Sequence, residues 1–171
     1  MTAPVAARHD SPLEAAALQV GDRAPDFSLT DQHGAPVVLS ELLAAGRSVL
    51  LVFYPFAFTG VCTGELQVMT ERIDELATEQ NVVLTLSCDA MYSLRAFADQ
   101  QSLPLQLLSD FWPHGEVAQA YGVFEPDRGC AVRGSFLVAA DGTIAWRVVN
   151  EIPYARDVDA YVSAIADLPG R

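Results

Sequence analysis

The sequence contains no lysine: all 10 of its basic residues are arginine, set against 22 Asp and Glu for a net charge of −12. Without lysine there is no Schiff base to pyridoxal phosphate or to a carbonyl substrate. A Walker-type phosphate loop, whose lysine reaches the terminal phosphates, is excluded too. Positive charge is scarce altogether, and an isoelectric point near 4.4 argues against nucleic acid as a partner, because phosphate binding depends on clustered cations. Long apolar runs are missing as well. Mean hydropathy is +0.22, yet no stretch approaches the ~18 residues of a membrane span, so no membrane partner is expected. The opening residues hold Arg8, His9, Asp10 and Glu14 and do not read as a secretory signal. Cysteine is limited to Cys62, Cys88 and Cys130, an odd number set far apart, which fits a reducing cytoplasm and not a disulfide scaffold. His9, His33 and His114 show no ligand spacing with each other or with the cysteines, so no metal is expected.

What is present describes one domain. A chain of 171 residues, 51% of them hydrophobic, is able to bury roughly 70% of its unfolded surface. Residues 1–18, alanine-rich with Pro4 and Pro12, read as a flexible N-terminal extension, and residues 19–171 as a single domain. Asp26–Thr30 and Val37–Leu39 flank the Gln32-His33-Gly34 turn and predict an N-terminal hairpin. Ser48–Tyr54 and Asn81–Ser87 are continuous apolar runs, the pattern of strands buried on both faces. Between them Leu66, Met69, Ile73 and Leu76 recur at helical spacing, with Glu71, Arg72, Asp74 and Glu75 on the other side. Further helices are expected at Ser93–Gln101, Glu116–Tyr121 and Asp157–Leu168, and a strand at Leu105–Leu108. The Asp141-Gly142 turn between Ser135–Ala139 and Thr143–Val149 is the strongest hairpin signal in the chain. The alternation predicts an α/β fold: a mixed central β-sheet with helices on both faces.

One junction carries chemistry. The strand Ser48–Tyr54 stops at Pro55, a short apolar loop follows, and a helix begins near Thr59. With Thr59 as N-cap, Cys62 falls in the first turn, where unpaired backbone N–H groups and the positive end of the dipole favour a thiolate. A thiolate is the nucleophilic form of cysteine. The same residues also have blander uses: cysteine as a small buried hydrophobe, Thr59 as a cap, Pro55 as a strand terminator, and Glu65 as a first-turn acid.

Taken together, Pro55-x-x-x-Thr59-x-x-Cys62 resembles the signature of peroxiredoxins, thiol peroxidases built on a thioredoxin-like fold. The resemblance runs from about Val20 to Leu168 and includes Ala24–Leu29 and Leu107–Phe124. The latter, with Phe111-Trp112-Pro113-His114-Gly115, is most similar to the one-cysteine AhpE-type subgroup (alkyl hydroperoxide reductase E) of actinobacteria. The resemblance implies that Cys62 is the peroxidatic nucleophile and cycles through sulfenic acid. Pro55 shields the thiolate, Thr59 hydrogen-bonds sulfur and peroxide, Arg133 supplies the cation, and Glu65 orients Arg133. Trp112 and His114 read as packing or loop residues.

No cofactor is implied. The substrates implied are hydrogen peroxide or an organic hydroperoxide and a reducing thiol or thioredoxin- or mycoredoxin-like protein, with a homodimer as the family expectation. The position five residues after Cys62, one common place for a resolving cysteine, holds Gln67, and a C-x-x-C is excluded by Glu65. A one-cysteine cycle is therefore expected. Two alternatives stay open: a two-cysteine enzyme with Cys130 as resolving cysteine, and a non-peroxidase thioredoxin-like redox or binding domain. Cys88 is expected in the core, Cys130 in a loop.

Overall fold

The computed structural model of the chain describes residues 12–169. A helix α1 (Pro12–Ala16) leads into β1 (Ser28–Asp31) and β2 (Pro36–Val38), which form the expected N-terminal hairpin. Then come α2 (Leu39–Ala44), β3 (Ser48–Phe53), α3 (Gly60–Glu71), α4 (Ile73–Leu76), β4 (Asn81–Ser87), α5 (Met91–Gln101) and β5 (Gln106–Ser109). The chain closes with α6 (Glu116–Ala120), β6 (Phe124–Glu125), β7 (Cys130–Ala131), β8 (Arg133–Val138), β9 (Ile144–Asn150) and α7 (Val158–Ala166). Seven strands form one mixed sheet in the order β2-β1-β5-β4-β3-β8-β9, while β6 and β7 make a separate two-stranded ribbon.

The two continuous apolar runs are central for the reason their sequences suggest. Every residue of β3 and of β4 is buried, and the two pair in parallel with Ser48 opposite Asn81 and Phe53 opposite Leu86. Side chains alternate across the pleat, so β3 feeds two cores. Val49, Leu51 and Phe53 join Leu39, Val117, Ala118 and Tyr121 on the face covered by α2 and α6. Leu50, Val52 and Tyr54 join Cys62, Leu66, Met69, Phe97, Tyr161 and Ile165 on the face covered by α3, α5 and α7. All the chemistry lies on this second face.

Three expectations need correction. Part of the stretch read as a flexible extension is ordered: Leu18 N donates to Tyr121 O at 3.2 Å and Ala17 is buried. Gly122 explains how α1 gets so close. Its φ is +71°, and a Cβ there would lie 2.1 Å from Ala16 O, so only glycine fits. Residues 1–11 lie outside the described residues. The helix expected to run on through Leu76 is broken at Arg72, whose φ of −114° leaves the helical region. Its guanidinium binds Glu75 and Asp159 instead of continuing a solvated face. Cys130 lies on β7, not in a loop, and is buried.

Candidate active site

The segment between β3 and α3 is held by its own backbone and by β4. Tyr54 N donates to Leu86 O at 3.0 Å, extending the β3–β4 pairing one step. Ala57 N donates to Asp89 Oδ2 at 2.9 Å, just past the end of β4. Phe58 adopts a left-handed φ of 66°, a conformation that costs a non-glycine residue on the order of 1 kcal/mol. Its ring packs against Phe97 of α5 with centroids 5.1 Å apart, which fixes the turn. Thr59 then takes the N-cap position, with Gly60, Val61 and Cys62 as the first three helical residues.

Thr59 caps the helix through its backbone, accepting from Thr63 N at 2.9 Å. Its side chain makes no cap bond. Thr59 Oγ1 donates instead to Phe56 O at 2.8 Å, which leaves the hydroxyl oxygen as an acceptor. Pro55 is buried beneath this loop. Cys62 is 0% exposed and sits among Tyr54, Ala57 and Leu66.

One helical turn on, Glu65 is 7% exposed, an uncommon state for a carboxylate. Two arginines account for it. Arg133, at the start of β8 and 2% exposed, donates from Nη1 to Glu65 Oε2 at 2.6 Å and from Nε to Ile152 O at 2.6 Å. Its Nη2 has no hydrogen bond among the described residues. Arg133 is not a solvated edge-strand charge, because β8 lies inside the sheet, between β3 and β9. Register aims the side chain: Ser135 pairs with Val52, and Arg133 shares the face of Ser135, the one α3 covers.

The second arginine was missed. Arg156, from the loop before α7, donates to Glu65 from its backbone N at 2.7 Å, from Nε at 3.1 Å and from Nη2 at 2.9 Å. Its Nη1 reaches Phe53 O at 2.7 Å, Gly134 O at 2.9 Å and Ser135 Oγ at 3.0 Å. Burial works against its charge, but Tyr161, Glu65 and Cys62 together hold it above the ordinary arginine range. Burial likewise opposes the charge of Glu65, and the hydrogen bonds and charge of Arg156, with the charge of Arg133, outweigh it and keep the carboxyl below the usual range. An arginine in a short loop, with no apolar period around it, gives no sequence signal of burial. The only hint is that a buried acid with one cation would still lack partners for its second oxygen.

The remaining cysteines are free and buried. Burial pushes the Cys130 thiol up to about 11 and the Cys88 thiol up to about 12, and Asp110 adds to the latter. Cys130 also feels the charge of Cys62. His114 serves the loop, as expected, with its ring nitrogens 3.2 Å from Phe111 O and 2.7 Å from Gly129 O. The described residues contain no cluster of His, Cys, Asp or Glu able to hold a metal ion.

The arrangement can therefore present a cysteine at a helix N-terminus, an arginine nitrogen with no hydrogen bond among the described residues, and a hydroxyl acceptor. Comparisons with known proteins point the same way. Residues 20–147 match the AhpC/TSA family. The chain is 40% identical over 151 residues to alkyl hydroperoxide reductase E of Mycobacterium tuberculosis, covering 88% of this chain and 98% of that one. It is 34% identical to the peroxiredoxin tpx1 of Schizosaccharomyces pombe over 83% of this chain and 77% of that one. Among solved structures, the peroxidoxin BcpB of M. tuberculosis superposes with a TM-score of 0.79 at 28% identity, covering 90% of this chain and 99% of that one.

Proposed function

Because the chain belongs to the AhpC/TSA family, as an AhpE-type peroxiredoxin and thiol-dependent peroxidase, we propose that Cys62 is its peroxidatic sulfur and Arg133 the cation that activates it. The observation that carries the assignment is the buried Arg133–Glu65–Arg156 cluster on the second turn of α3, one turn past Cys62. It holds one guanidinium rigidly while leaving its Nη2 unpaired beside the helix that bears Cys62. A planar, permanently charged donor of this kind lowers a thiol pKa and binds a peroxide oxygen.

In this reading the Cys62 thiolate attacks one oxygen of the hydroperoxide. The S–O bond forms as the O–O bond breaks, sulfur loses two electrons, and the departing alkoxide or hydroxide takes up a proton and leaves as alcohol or water. The product on the protein is a sulfenic acid. Arg133 and the N–H groups of the first turn of α3 stabilise the charge that moves along the O–O bond. Thr59 Oγ1, its proton committed to Phe56 O, accepts from the peroxide hydroxyl. Pro55 limits access of water to the sulfur. Glu65 and Arg156 position Arg133 and touch no reacting atom.

An external thiol, small or carried on a thioredoxin- or mycoredoxin-like protein, then returns the sulfenic acid to the thiol. This one-cysteine cycle is supported by the state of Cys130: a thiol pushed up to about 11 is protonated at neutral pH and a weak nucleophile toward Cys62. We place the enzyme in the cytoplasm as a homodimer, in keeping with its three free cysteines and its family. Among the described residues no helix is long and apolar enough to cross a membrane.

The test is stopped-flow oxidation by hydrogen peroxide and by an organic hydroperoxide, on wild type and on Cys62→Ser. Fast second-order oxidation is expected in wild type and none in the variant. Peroxide consumption retained by Cys62→Ser would overturn the assignment.

A further inference from the structure

Two buried side-chain polar atoms lack a hydrogen-bond partner among the described residues, Arg47 Nε and Tyr54 Oη. Arg47 still uses its Nη2 on Thr78 O, so its guanidinium is partly satisfied. Tyr54 is not satisfied at all. Its side chain is 0% exposed, and buried tyrosine hydroxyls usually find a partner. The other two buried tyrosines do: Tyr121 donates to Pro25 O at 2.8 Å, and Tyr161 meets Ser135 Oγ at 2.8 Å.

The orphan hydroxyl lies where the chemistry is. Tyr54 belongs to the same buried cluster as Cys62 and Ala57. The β3–β4 register, continued one step past Phe53 and Leu86, sets Tyr54 beside Ser87. The β3–β8 register, continued two steps past Val52 and Ser135, sets it beside Arg133. By the pleat, all three side chains share the face that α3 covers. Ser87 is near enough to influence the phenol, but its hydroxyl donates to Asp89 Oδ2 at 2.7 Å, the same oxygen that holds Ala57 N, and it makes no well-formed hydrogen bond with Tyr54 Oη. Nor does Tyr54 bond the sulfur in the resting thiol. Burial pushes its ionisation far up; the nearby Ser87 hydroxyl pulls it back in part, and the charges of Asp89 and Cys62 push it up again, so the phenol stays a donor at any working pH.

We propose that Tyr54 donates a hydrogen bond to the oxygen atom that peroxide transfers to Cys62, so that its hydroxyl, unpaired in the thiol state, is satisfied as the sulfenic acid forms. The inference rests on Cys62 being the peroxidatic sulfur. Tyr54 keeps its proton throughout and neither gains nor loses electrons. The bond forms only as the S–O bond forms, so it stabilises the transition state and product more than the thiolate, which is the condition for accelerating the step. A donor that ignored the thiolate would leave the thiol pKa alone. That separates its role from that of Arg133.

The experiment compares wild type, Tyr54→Phe and Cys62→Ser by stopped-flow oxidation with hydrogen peroxide across pH. It adds NMR of protein labelled at tyrosine Cζ, recorded before and after one equivalent of peroxide. Tyr54→Phe removes one oxygen atom that has no partner, so its melting temperature is expected at or above that of wild type. Its oxidation is expected about tenfold slower, the loss of one hydrogen bond to a developing charge, with the pH midpoint unmoved. In wild type, the one of the 5 tyrosine signals that is absent from Tyr54→Phe should shift on oxidation. An unchanged rate in Tyr54→Phe would overturn the proposal, as would a Cζ spectrum that does not respond to peroxide. The wild-type spectrum alone overturns the proposal if none of its 5 tyrosine signals moves on oxidation, even if the variant folds poorly. Peroxide consumption by Cys62→Ser would instead overturn the underlying assignment of Cys62.

Discussion

Arg156 grips Glu65 three times, once through its backbone nitrogen and twice through its guanidinium, at 2.7, 3.1 and 2.9 Å. Its remaining nitrogen ties the ends of β3 and β8 by bonding Phe53 O and Gly134 O. A residue from the loop before α7 thus fixes the acid that fixes Arg133. Four elements meet at one guanidinium.

Arg156→Ala should therefore act on stability before it acts on chemistry. Removing one partner of a buried ion pair costs about 3–5 kcal/mol, a large share of the roughly 5–15 kcal/mol that holds a domain folded. Urea denaturation is expected to show a loss of unfolding free energy of that size. An exposed arginine such as Arg128, mutated the same way, should change it by less than about 0.5 kcal/mol. An Arg156→Ala stability equal to that of Arg128→Ala would contradict the bonding described here.

Arg133→Lys should keep the fold and lose the chemistry. Lysine retains the charge but has no rigid fork to satisfy Ile152 O and Glu65 while still presenting a donor to the site. The second-order oxidation rate is expected to fall by about 10- to 100-fold, the scale of one preorganised donor. An Arg133→Lys rate equal to that of wild type would contradict this role.

Glu65 gives the protein an acid limb. Its carboxyl lies below the reference value of 4.5 in the folded state because the two arginines outweigh the opposing effect of burial. A group with a depressed folded pKa contributes stability that is fully present above its unfolded pKa and is lost as pH falls through the folded one. Stability should thus decline progressively below about pH 4.5. Glu65→Gln should be less stable at neutral pH and lack this part of the decline, as thermal melts from pH 3 to 7 would show.

Cys88 and Cys130 should be spectators. Burial holds both thiols high, at about 12 and about 11, so neither is a thiolate at neutral pH. One equivalent of peroxide followed by mass spectrometric mapping is expected to find sulfenic acid on Cys62 and no internal disulfide. Cys88→Ser and Cys130→Ser should oxidise at the wild-type rate. A Cys62–Cys130 bridge would replace the one-cysteine cycle with a two-cysteine one.

Much of this was legible in the residues themselves. Ser48–Phe53 and Asn81–Ser87 are too apolar and too short to be anything but central strands. The spacing Pro55, Thr59, Cys62 placed the cysteine in the third helical position, where the structure has it. What escaped was local shape without periodicity. β6 and β7 are two residues each, too brief for any alternation to register. The break at Arg72 interrupts an apolar rhythm that runs straight through it. The burial of Arg156 and the empty hydroxyl of Tyr54 are products of tertiary packing, and neither leaves a mark on neighbouring residues.

The distances along the chain inside the cluster have a consequence for how the protein comes into being. Glu65 waits for Arg133, 68 residues later, and for Arg156, 91 residues later. Pairings that distant form late, after the intervening loops have closed. During synthesis, which proceeds N-terminus first, Cys62 emerges long before Arg133 and Arg156. With Cys62 as the proposed peroxidatic sulfur, the site is complete only once the loop ahead of α7 has closed, and an unfinished molecule is expected to be spared oxidation there.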